Sequence, residues 1–187
     1  MNKKVNTQAV VISAILCSIA IIIPMFSPIK IILEPASFTL ASHVPIFLAM
    51  FISPGTAIFV TVGSTIGFLL GGFPITVVLR ALSHLIFVIV GSIYLKKHKD
   101  IIEEGKSSLI YSFTVSLIHA IGEVLIVIPF YLGSSLSQGY YDKGFIVSIL
   151  GLVGIGTIIH SMIDFSLSKY IWKLMPKDVV KKIVVNI

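Results

Sequence analysis

Between Phe73 and Leu95 the chain reads FPITVVLRALSHLIFVIVGSIYL, an apolar stretch of membrane-crossing length that nevertheless carries Arg80, the only arginine in the sequence. A guanidinium cannot shed its charge in hydrocarbon, and insertion scales put its cost at a helix centre at about 2.5 to 3.5 kcal/mol. Such a residue has to face a bundle interior, a cavity or an anionic partner. The fold and function of the chain are therefore bound to whatever negative group meets Arg80.

The remainder of the chain is as apolar as this stretch. With 56% hydrophobic residues and a mean hydropathy of +1.05, it exceeds what soluble domains carry. At about 20 residues per crossing, 187 residues hold six crossings with short loops and leave no room for a sizeable soluble domain. The expected fold is an all-α integral membrane protein: one domain, residues 1–187, of six helices at about 8–25, 37–53, 55–72, 74–96, 108–132 and 144–174. Pro24 and Pro28, Ser53-Pro54-Gly55, Gly71-Gly72-Phe73-Pro74, the run KKHKDIIEEGK and the run GSSLSQGYYDKG mark the joints. The second segment is short and contains Pro45, which predicts a kink or tilt. The N-terminus has the charged head and apolar middle of a secretory signal but no small-x-small cleavage site, so it is expected to remain as the first helix.

Apart from Arg80, the basic residues behind the formal charge of +6 lie outside these segments or towards their ends, which makes them a topology signal and not a nucleic-acid footprint. Lys3 and Lys4, then Lys96, Lys97, Lys99 and Lys106, then Lys169, Lys173, Lys177, Lys181 and Lys182 fall on one side of a six-crossing bundle. Only Lys30 and Lys143 fall on the other. Both termini are thus expected in the cytoplasm of a multi-pass cell-membrane protein. Cys17 has no second cysteine to pair with, which excludes an intramolecular disulfide.

Inside the segments the ionisable residues are His43, Arg80, His84, His119, Glu123, His160 and Asp164. Arg80 with His84, His119 with Glu123, and His160 with Asp164 are spaced i, i+4, so helices four, five and six each carry a polar stripe. At about 1.5 Å of rise per residue, Arg80 and Glu123 fall at similar depths below the outer surface, with His43 close to the level of Arg80. Asp164 falls nearer the cytoplasm and is assigned to a different contact. A planar, permanently charged fork suits a carboxylate or phosphate, so the expected ligand is a small organic anion held by Arg80, with His84, His119, Glu123 and His43 around it. Glu123 would bind a donor on the ligand or serve as the resting counter-ion of Arg80. The loop SPIKIILEPAS, with Lys30 and Glu34, is long enough to fold over the mouth of such a pocket.

Gly63, Gly67 and Gly71 in segment three, and Ala9, Ser13, Ala14, Cys17 and Ser18 in segment one, form small-residue stripes that permit close helix packing, within the chain or onto a partner. DIIEEGKS ends like a phosphate-binding loop. Asp100 occupies the place of its first glycine and no strand precedes it, so the chain itself is expected to bind no ATP. Histidines beside carboxylates invite a metal reading, yet His-Glu-x-x-His and cysteine clusters are absent, and the expected metal set is none. A self-sufficient proton-coupled permease using Glu123 and Asp164 as relays is an alternative of a different class. A membrane enzyme using the histidine and carboxylate pairs is a third.

EPASFTLASHVPIFLAMFISP followed by GFPITVVLRALSHLIF, on a six-helix chain with a small-residue first helix and basic ends, resembles the substrate-binding S components of energy-coupling factor vitamin transporters, the niacin-specific ones most of all. That resemblance implies a non-enzymatic, high-affinity capture subunit with its site near the outer face, built from helices four to six and capped by the first outer loop. It also implies docking through helix one onto a transmembrane coupling protein driven by two ATPases, which would hydrolyse ATP in place of this chain. The family's alanine-x-x-x-alanine signature is imperfect here, since Ser13 follows Ala9 and Ser18 follows Ala14. Nicotinate and pantothenate are both carboxylates, and either fits Arg80.

Overall fold

Among the described residues, four helices are long and apolar enough to cross a membrane: Thr7–Phe26, Ile75–Lys97, Gly105–Leu132 and the continuous stretch Ile146–Leu174. They belong to a computed structural model that describes residues 7–26, 30–33, 36–39 and 41–184. In chain order the elements are α1 (Thr7–Phe26), β1 (Lys30–Leu33), β2 (Ala36–Thr39), α2 (Val44–Ile52), α3 (Pro54–Leu70), α4 (Ile75–Lys97), a 3-10 turn (Lys99–Ile102) and α5 (Gly105–Leu132). A short α6 (Gln138–Asp142), a π-helical stretch (Ile146–Ile155), α7 (Gly156–Leu174) and α8 (Lys177–Val184) follow.

The helix ends follow local chemistry. Ser53 caps α3, its hydroxyl accepting from the Thr56 amide at 3.0 Å, and Pro54 takes the first helical position, where its missing N–H is no loss. Gly72, at φ +72°, turns α3 into α4. Lys96 and Lys97 sit in the last turn of α4, where cations complement the helix dipole.

Two expectations are corrected. The chain is not wholly α-helical, because part of the first outer loop and the start of the expected second segment form an antiparallel hairpin in which Lys30 pairs with Thr39 and Leu33 with Ala36. The segment expected at 37–53 is therefore strand β2 to Thr39 and helix only from Val44. The helix α2 spans 9 residues, and all but Leu48 are buried. A helix of that length, about 1.5 Å per residue, cannot cross a bilayer. It is apolar all round because it is a core helix, packed between α1, α3, α4 and α7. The segment expected at 144–174 is helical as a whole, but its first part is wound as a π-helix.

A column of rings fills the core beneath the start of α2. Phe47 lies 5.7 Å from Phe87 and 5.4 Å from Phe165, and Phe51 lies 5.7 Å from Phe165 and 5.5 Å from Trp172, all between ring centroids. On the outside, Val10, Ile15, Phe59, Ile86, Leu125 and Ile159 are among the many large apolar side chains left exposed. That is the surface of a body whose solvent is lipid.

Candidate functional site: a buried arginine and four histidines

Arg80 projects from α4 into the bundle and meets Glu123 of α5, Nη2 to Oε2, at 2.8 Å. Glu123 is the hub of the contact. Thr157 of α7 donates to the same Oε2 at 2.5 Å, while the Nε2 atoms of His84 and His119 lie 3.3 and 3.5 Å from Oε1. The guanidinium is not used up: its Nε has no hydrogen-bond partner among the described residues. Beside it lies a cavity of about 40 Å³, room for a few waters, walled by Arg80, Glu123, Thr157, His43, His84 and His160. Phe68, Phe73 and Val77 give one side of this space an apolar wall, and Thr39 of β2 and Ser42 close another.

A second carboxylate stands next to the first group. Asp164 of α7 accepts from the backbone amides of Ala41 at 3.1 Å and His43 at 3.0 Å, and its Oδ2 lies 3.1 Å from His43 Nδ1 and 3.4 Å from His160 Nε2. Ala41 holds φ +64°, a left-handed backbone unfavourable to a residue with a Cβ, and Asp164 is one of the groups that fix it. His43 joins the two carboxylate centres. Its ring stands edge-on to His84 and His119 at 4.8 Å each and to His160 at 5.0 Å, and His84 and His119 are 4.5 Å apart. Tyr140 of α6 is half-buried nearby, and burial pushes its phenol above the usual range while Arg80 draws it partly back.

The structure thus brings together Arg80, His84, His119, Glu123 and His43. Asp164, expected nearer the cytoplasm in a different contact, does not touch Arg80, but it bonds His43 directly and so belongs to the same continuous cluster. Glu34 lies outside the described residues. Thr157 escaped the sequence reading. It is three residues before His160 and seven before Asp164, and that polar spacing on one helical face was the available signal.

The small-residue stripes of α1 divide. Ala9 and Cys17 are buried, and Ser13 reaches across to Thr56 of α3 at 3.1 Å, whereas Ala14 and Ser18 are exposed. The first set packs inside the chain against α3, where a Cβ on Gly67 would stand 2.6 Å from the Ile21 carbonyl oxygen. Only the second pair faces outward.

A helical body with this many apolar side chains on its outside, and one arginine beside a cavity inside, is a multi-pass membrane protein. Comparison with characterised proteins makes the class specific: over 176 residues, 94% of this chain and 78% of the relative, it is 39% identical to the niacin transporter NiaX of Lactococcus lactis subsp. cremoris (strain MG1363). The chain belongs to that family of niacin transporters, which bears out the resemblance seen in its sequence. No family model and no solved structure matches the chain.

Proposed function

We propose that this chain is the substrate-capture subunit of an energy-coupling factor importer and that it binds nicotinate, with Arg80 taking the carboxylate. One observation carries the site: Arg80 is tied to Glu123 through a single nitrogen and keeps further donors beside a cavity. A carboxylate that shares or replaces Glu123 gains a charge-assisted, fork-shaped partner. Phe68, Phe73 and Val77 supply a wall for an aromatic ring, which favours nicotinate over the ringless pantothenate. The present cavity is small, so entry requires the hairpin, with Thr39 at its end, to lift.

Six passes follow if hairpin and α2 together count as the second, after which the lysine-rich ends and the turn after α4 share the cytoplasmic face. The outward pair Ala14 and Ser18 is then the natural contact for a transmembrane coupling protein, with ATP hydrolysed by partner subunits and no chemistry performed by this chain. The niacin transporter relative supports the substrate.

Binding of labelled nicotinate to the purified chain in detergent tests the assignment. Arg80→Ala abolishes binding and Arg80→Lys, which keeps the charge but loses the fork, weakens it; unchanged affinity in both removes Arg80 from the site. Reconstitution of the chain alone in liposomes separates capture from self-sufficient transport, since uptake that collapses with a proton gradient would make it a permease.

A further inference from the structure

We propose that His43, His84 and His119 form a binding site for a first-row divalent transition metal ion of the zinc class. One ring nitrogen from each lies within 4.8 Å of the other two. The residues come from the turn before α2, from α4 and from α5, so no spacing in the sequence announces them. All three are more than nine-tenths buried, with exposures of 6, 3 and 2%.

Their nitrogens are not consumed by the protein. With Nε2 of each turned towards Glu123, Nδ1 of His84 and Nδ1 of His119 have no hydrogen-bond partner among the described residues. Buried polar atoms are nearly always paired, and two such nitrogens in one place, each on a ring whose other nitrogen faces a carboxylate, leave lone pairs for an acceptor. A metal ion is one.

The neighbours complete the case. His43 Nδ1 stands 3.1 Å from Asp164, His84 Nε2 3.3 Å from Glu123 and His119 Nε2 3.5 Å from the same oxygen. A carboxylate behind the ring is what orients a metal-ligating histidine and raises its basicity. Charge points the same way: Arg80 and Glu123 pair with each other, and Asp164 adds a second carboxylate 3.1 Å from His43. Three imidazoles select zinc, cobalt, nickel or copper over magnesium and calcium.

Metal–nitrogen bonds of about 2.0 to 2.1 Å place tetrahedral ligands roughly 3.4 Å apart, so the rings close on an ion by shifts of roughly an ångström. His43 and His84 also line the cavity, from which a water or a donor atom of a bound solute would complete the shell. A rival triad, His43 with His160 and Asp164, is also close enough. It is less suited, because both oxygens of Asp164 already hold backbone amides.

The test uses the untagged full chain in detergent, stripped with a chelator and titrated with cobalt and zinc chlorides. The expected result is one tightly held equivalent, a tetrahedral cobalt absorption spectrum, loss of binding in His84→Gln and His119→Gln, and about 10- to 100-fold weaker binding in Asp164→Asn. Arg80→Ala is expected to lose nicotinate and keep the metal, so the two sites fail separately. Substoichiometric metal, binding indifferent to His84 and His119, or loss confined to His160→Gln would overturn the assignment. If a glutamine variant does not fold, the wild-type spectrum decides, because an octahedral, water-like cobalt signal overturns it equally.

Discussion

At the scale of single residues, Glu123 sets the resting state of the site. It satisfies one guanidinium nitrogen and accepts from Thr157, and in the proposed site it would compete with the ligand's carboxylate. Removing one partner of a buried ion pair typically costs about 3–5 kcal/mol, so Glu123→Gln lowers the melting temperature of the ligand-free protein. Nicotinate then raises it by more than in the wild type, because its carboxylate replaces the missing charge; a thermal shift series with and without ligand reads both effects. Ala41 allows a prediction of opposite sign. Its φ of +64° suits glycine, so Ala41→Gly stabilises the protein by up to about 1 kcal/mol, measurable as a higher melting temperature. Asp164→Ala removes a charged acceptor from the Ala41 and His43 amides, each such bond being worth about 1.5–3 kcal/mol, and lowers thermal stability accordingly. Charge made the pocket residues legible: Arg80, His84, His119 and Glu123 stood out because hydrocarbon penalises them. Thr157 and Ser42 carry no charge, so nothing in their cost drew notice. The meeting of His43 with three other histidines depends on how distant elements fold back, which no spacing encodes.

At the scale of elements, the apolar runs showed where helices lie but not which of them face lipid. Helix α2 is as apolar as a spanning helix, yet burial on every side and not membrane contact is the reason. The hairpin was hidden for a related cause. KIIL is a short apolar run that periodicity cannot assign to strand or helix, and ASFT, which does alternate apolar and polar residues, is only 4 residues long. The π-helical winding before α7 was likewise invisible, since every residue in IVSILGLVGI is small or apolar. It runs straight into α7, where Thr157, Ser161 and Asp164 are buried. Close packing of α1 on α3 was readable from its glycines. Their role gives a prediction: Gly67→Leu forces a side chain into the Ile21 backbone, wedges α1 away and destabilises the protein by about 1–3 kcal/mol, seen as a lower melting temperature.

At the scale of the whole molecule, the two faces of α1 do separate work. Ser13 and Cys17 hold it to α3, while Ala14 and Ser18 look outward. Ala14→Leu or Ser18→Leu is accordingly expected to leave nicotinate binding by the isolated chain intact and to abolish uptake in cells that express the complete importer; comparing the two assays on one variant checks it. The ring column divides the interior. Above it lies the histidine cavity, and below it a separate hollow of about 270 Å³ lined by Phe51, Trp172, Lys96 and Lys99. Phe47, Phe87 and Phe165 stand between them with their rings interlocked. A solute held in the upper cavity therefore faces interlocked rings, and not a channel, in the direction of the lower hollow.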